Sequence, residues 1–251
     1  MAHVKLLPLL GAALFVLGNS AQGNAASPGQ GTSTAYSVTL EQDGVCLSDI
    51  DGVREKAGFG KFARPTEPTK QLPTNDNTGK QWDRFCQDVL ADKGSKTSVS
   101  SGDDGATSAM YSMMVLSSSK VDCSAVVDHW KAANKNFTGI PPAPEKSSGL
   151  YENADNVMFI SLFTPSAGAT ADCRVVTCTE TTTVTETQKK TERKGYAFLC
   201  MTTPNILGDG TKQPFTKDEW EKISAVFKAS AQAVVPSVFF VLLVALGGIL
   251  L

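Results

Sequence analysis

Histidine is nearly missing from this chain of 251 residues, which holds only His3 and His129. Motifs that set two imidazoles one helical turn apart around a metal are therefore excluded. His129 falls beside Trp130, off the most apolar side of a predicted helix, where a lone imidazole is far more often a surface or structural residue than a catalyst. A basic excess is also missing. Lys and Arg total 23 against 25 Asp and Glu, a formal net charge of −2, so no surplus exists to neutralise a phosphate backbone. No G-x-S-x-G frames a serine nucleophile. Gly208-Asp209-Gly210-Thr211 lacks the lysine of a phosphate loop and the ligand series of a calcium hand, and reads as a turn. Asp103 and Asp104 read as a solvated loop tip in the same way. These absences leave no predicted catalytic residue, metal ligand or cofactor.

The two ends read as addresses. Lys5 precedes an apolar run over 6–17 and then the small residues Gly18, Ser20, Ala21, Gly23 and Ala25, the order of a secretory signal peptide. Residues 1–23 are assigned to it, with cleavage expected between Ser20 and Ala26. The run 238–251 is apolar or glycine throughout and has no basic residue after it, whereas a spanning helix needs about 20 apolar residues and a positive flank. Small residues at Ala229, Ser230 and Ala231 and a short spacer precede it. This order fits a glycosylphosphatidylinositol (GPI) signal over 231–251, the lipid going to Ala229 or Ser230, with Ser224 or Ala225 as other sites, and a true membrane helix as the rival reading.

Six cysteines, Cys46, Cys86, Cys123, Cys173, Cys178 and Cys200, lie between these ends. An even count in an exported chain implies three disulfides, of about 15 conceivable pairings. Zinc would want paired C-x(2–4)-C knuckles, and only Cys173 and Cys178 are close.

Along the chain, 24–44 is rich in Gly, Ser and Thr and reads as a flexible arm with a short extended piece at Tyr36, Val38 and Leu40. A single domain is assigned to 45–230. Cys46, Ile50, Val53 and Ala57 predict a first helix, capped by Ser48 or Asp49 and stopped at Gly58 and Gly60. Trp82, Phe85, Cys86, Val89 and Leu90 predict a second, with Asn77 or Thr78 as caps. Residues 109–116 are a strand, with helix as the alternative. Asp122 caps a third helix whose inner face is Cys123, Val126, Val127 and Trp130, with Phe137 as a further candidate. The apolar run 157–163 is short enough for a strand covered on both faces, and Gly195 to Met201 is its returning partner. Thr216 and Glu219 form a capping box ahead of a last helix buried through Trp220, Ile223 and Phe227. Asn136-Phe137-Thr138 is an acceptor sequence for N-glycosylation at Asn136.

The run Ala171-Asp172-Cys173-Arg174-Val175-Val176-Thr177-Cys178, followed by Gly195-Tyr196-Ala197-Phe198-Leu199-Cys200 and Pro204, resembles the last two core strands of the CAP superfamily (cysteine-rich secretory proteins, antigen 5 and pathogenesis-related 1). Together with the leader, the helix 123–130 and the tail, the whole chain resembles the GPI-anchored surface antigens of Eimeria. The resemblance implies an α+β fold, a three-layer α-β-α sandwich with a mixed, mainly antiparallel central sheet. It also implies the pairings Cys173 with Cys200, Cys86 with Cys178, and Cys46 with Cys123. CAP proteins often carry a two-histidine, two-carboxylate cleft, but here Asp155 and Asn156 stand where one histidine belongs. The function implied is that of a non-enzymatic antigen on the outer leaflet. Its partners would be the host-cell surface, protein or glycan, and host antibodies, met by the loops 92–108, 139–148 and 179–194. A lipid or sterol ligand in an apolar groove is the alternative, and a hydrolase dependent on His129 the third reading.

Overall fold

The computed structural model describes residues 31–73, 80–92 and 109–232. In chain order the elements are β1 (Thr32–Leu40), α1 (Leu47–Lys56), α2 (Lys80–Leu90), β2 (Met110–Leu116), α3 (Cys123–Ala132), α4 (Ser148–Tyr151), α5 (Ala154–Leu162), β3 (Thr170–Val184), β4 (Lys190–Thr203) and α6 (Lys217–Gln232).

Valine and threonine dominate β3, and these β-branched side chains suit a pleated surface. It pairs with β4 from Thr170↔Thr203 to Thr183↔Lys190, and the sheet order is β1-β3-β4-β2. Alternation sends Ala171, Cys173 and Val175 to one face and Val176 and Cys178 to the other. The first face, joined by Phe198, Cys200 and Met110, is covered by α1, α3, α5 and α6 through Ile50, Val126, Trp130, Phe159 and Ile223. The second is covered by α2 through Trp82, Phe85, Cys86 and Val89. Both strands outrun these helices. Beyond Cys178 no residue of β3 is fully buried, and the β3–β4 hairpin tip at residues 185–190 is exposed.

Gly195 lies where α2 descends on β4. A Cβ there would stand 3.0 Å from Leu90 and 3.1 Å from Val89, so the helix can approach this closely only over a residue without a side chain.

Several local readings hold. Asp122 caps α3 by accepting from the amides of Ser124 and Ala125 at 3.0 and 3.2 Å. Thr216 and Glu219 form the reciprocal box at the head of α6, the Thr216 amide donating to the Glu219 carboxylate at 2.7 Å. Residues 110–116 are a strand. The caps expected at Asn77 and Thr78 lie outside the described residues.

Others fail. The run 157–163, expected as a strand, is helix α5 and its C-cap. It is wedged between β2 and α3 and so buried on nearly every side, and an apolar run buried on every side has no period that separates helix from strand. Neither Ser48 nor Asp49 caps α1. Cys46 holds that position in left-handed geometry (φ 57°) with no side-chain cap bond. The extended piece of the arm is larger than expected: β1 pairs with β3 over nine residues and buries Val38. The mixed sheet is also corrected, since every strand pair is antiparallel. The one parallel link among the described residues is an isolated bridge, Ala63↔Thr170.

Candidate functional site

Three disulfides cross-link the fold. Cys46–Cys123 links the start of α1 to the start of α3, Cys86–Cys178 links α2 to β3, and Cys173–Cys200 crosses the β3–β4 pair. No cysteine is free, so no thiol is available as a nucleophile or metal ligand. Cys173 and Cys178, close in sequence, are directed to opposite faces of the sheet, which separates them as a metal knuckle.

Arg54 is the other internal tie. It is 1% exposed and donates through Nε to the Gly60 carbonyl at 2.9 Å, and through its two terminal nitrogens to the Leu162 and Thr164 carbonyls at 2.8 and 3.0 Å. The guanidinium sits 3.7 Å over the Phe62 ring. Burial lowers its pKa to about 10, so it remains charged at neutral pH and closes the C-terminal end of α5. Buried Asp172 accepts from the Leu72 amide and from Arg174, both at 2.8 Å, which pins the chain before α2 to β3.

His129 Nε2 stands 3.5 Å from Asp155 Oδ1, both side chains partly exposed. The structure thus brings His129 beside Asp155. No group of three or more His, Cys, Asp or Glu among the described residues could hold a metal ion. Asn136 ends a helical turn, Ala133–Asn136. Its amide nitrogen donates to Asn156 Oδ1 at 2.7 Å, and Asn156 in turn donates to the Leu150 carbonyl at 2.8 Å. Tyr151 donates to the Pro142 carbonyl, and burial raises its phenol to about 12. Ala229 and Ser230 lie in the last turns of α6. Of the three expected contact loops, 139–148 and 179–194 are described, whereas 93–108 lies outside the described residues.

Among the described residues, open clefts include the following. One of about 320 Å³, beside Gly195 at the C-terminal end of α2, includes Arg193 and Lys194. Arg193 is already committed to Glu180 and to the Leu90 carbonyl. The other, of about 420 Å³, lies between the Ala133–Asn136 turn and α6 and is lined by Asn134, Phe137, Thr138, Trp220, Phe227 and Lys228, among others. Phe137 and Trp220 meet edge to face at 6.1 Å, and both contact Phe159. The sequence marked Trp220 and Phe227 as the buried side of a helix. It gave no sign that they also floor a cleft, because the opposite wall belongs to a distant segment of the chain.

No helix among the described residues is long and apolar enough to cross a membrane, and the apolar run 238–251 lies outside them. A family model described as the sporozoite surface antigen (SAG) protein domain matches residues 42–242. No curated protein and no solved structure matches the chain. That match spans α1 to α6, every cysteine and both clefts, and the chain therefore belongs to the sporozoite surface antigen family.

Proposed function

We propose that the chain is a parasite surface antigen held on the outer leaflet by a lipid at Ala229 or Ser230 and that it serves attachment to host cells. The observation that carries this is the family match over 42–242. The apolar run 238–251 after a small-residue stretch and the leader over 1–23 support the route and the tether. Closure of the fold by three bridges suits an exported domain. Helices on both faces of the sheet favour the CAP-like sandwich that the sequence of β3 and β4 resembles.

Contact with the host falls to exposed parts of a rigid frame. The β3–β4 hairpin tip and the 139–148 segment are the described ones, and host antibodies would meet the same surfaces. Asn136 is proposed as a glycan acceptor, since a glycosylated amide keeps one N–H for its bond to Asn156. Treatment of intact cells with a phosphatidylinositol-specific phospholipase should release the chain. Purified chain should bind host cells, and exchanging the hairpin tip and 139–148 should weaken that binding. Retention after lipase treatment would remove the tether, and undiminished binding after both exchanges would remove the attachment surface.

A further inference from the structure

We infer that the cleft between the Ala133–Asn136 turn and α6 is a binding site for an acidic pyranose sugar carried by a glycan of another molecule. This deepens the attachment reading and rests on it for its biological role.

The cleft's make-up carries the inference. Its floor is aromatic: Phe137, Trp220 and Phe227 line it. Trp82 and Trp130 are each 2% exposed, whereas Trp220 is only partly buried, so it is the tryptophan whose indole a ligand can reach. The rim is polar and uncommitted. Among the described residues, the side chains of Asn134, Thr138, Ser224 and Lys228 make no hydrogen bond or ion pair. Immediate neighbours behave otherwise, since Asn136, Tyr151 and Lys131 each have an internal partner. At about 420 Å³ the cleft lies within the ~300–1,000 Å³ range of small-ligand sites.

An apolar floor with converging polar groups at the rim is the general form of such sites. A pyranose matches it in both parts: its C–H face lies on an aromatic plane, and its ring of hydroxyls meets amide, hydroxyl and ammonium groups at the edge. A lipid chain would leave the four rim groups facing hydrocarbon, at a cost for each. The amide and hydroxyls serve any sugar, but Lys228 offers three donors and no acceptor. It therefore favours a carboxylate-bearing ring, of the uronic or sialic type, over a neutral one.

The test uses the full chain with its bridges formed, produced once in a host that adds no sugars and once in one that does. Glucuronic acid, N-acetylneuraminic acid, galactose and mannose are titrated into each, with tryptophan emission and saturation-transfer NMR as readouts. The expected result is saturable binding of an acidic sugar to both preparations, with a change in emission arising from Trp220. Lys228→Glu, an exposed substitution that leaves the floor intact, should weaken the acidic sugar about fivefold or more relative to the neutral sugars. Trp220→Phe should remove the emission change.

If no sugar binds the sugar-free chain, the inference is overturned. Binding to the sugar-free chain alone would mean that the chain's own glycan at Asn136 fills the cleft, and the assignment to another molecule's glycan would fall. Binding of the acidic sugar without cell attachment would leave the site standing and remove the attachment reading. Attachment without any sugar binding would do the reverse.

Discussion

Replacing Arg54 tests whether one buried cation locks α1 to the end of α5. Two of its three hydrogen bonds, to the Leu162 and Thr164 carbonyls, are wholly buried, and the third, to Gly60, is partly so. Net values for hydrogen bonds to a charged group are about 1.5–3 kcal/mol each, so the two buried ones imply a loss on the order of 4 kcal/mol in Arg54→Met. Methionine keeps most of the stem's volume, which isolates the missing donors from a cavity effect. Exchanging a buried ion pair for hydrocarbon is often nearly neutral, because both partners leave together. Here the acceptors are main-chain carbonyls, which no substitution removes, so the penalty stays. Arg54→Lys keeps the charge but loses the planar fork, and should fall between the two. The assay is urea unfolding with the bridges intact, followed by circular dichroism and tryptophan emission. Lys61→Gln, at an exposed 3.6 Å pair with Glu55, serves as the control and should cost less than about 1 kcal/mol. An Arg54→Met protein within about 1 kcal/mol of the parent at the same m value would refute the reasoning.

Four further outcomes are expected. A chain starting at residue 42, as the family match does, loses β1 and with it the burial of Val38, which is 3% exposed. It should lose at least about 2 kcal/mol in the same assay, and equal stability would mean that β1 is dispensable. Replacing both cysteines of Cys86–Cys178, separated by 92 residues, should destabilise by about 1 kcal/mol more than replacing both of Cys173–Cys200, separated by 27, on loop-closure entropy alone. Equal losses would point to effects in the folded state. Backbone and Ser124 hydrogen bonds hold the Asp122 carboxyl below its ordinary 3.8, so its contribution to α3 is complete above about pH 4 and fades as the pH falls through the depressed value. Protection of the α3 amides, taken relative to their intrinsic exchange at each pH, should fall over that acid range in the parent and stay flat in Asp122→Ala. The buried Ser112 and Ser161 hydroxyls lie 2.6 Å apart. Ser161 also donates to the Met158 carbonyl at 2.8 Å, so Ser112→Ala with Ser161→Ala should be closer to the parent in stability than Ser161→Ala alone, because that single change strands the buried Ser112 hydroxyl.

How much of this was legible beforehand depends on where the information sat. The ends of helices were readable because caps are local: Asp122 bonds amides two and three residues on, and Thr216 and Glu219 answer one another within a turn. The second helix was readable because only one of its faces is covered, so Trp82, Phe85, Cys86 and Val89 keep a helical period. For α5 that condition fails. Phe159, Ile160, Leu162 and Phe163 are all buried, and nothing polar on an outer face marks a period. The usable sign was Asn153, which accepts from the Asp155 amide at 2.9 Å as an N-cap; Asn156 and Ser161, polar yet buried within the run, could belong to either element. The sugar cleft was unreadable for a different reason. Phe137 and Trp220 each appear in sequence as the apolar side of their own segment, and only their meeting at 6.1 Å makes a floor of them. Local signals therefore fix where segments begin and turn, while a cleft is made by two segments at once. That is why the proposed sugar site has to be argued from unpartnered rim groups and not from any motif.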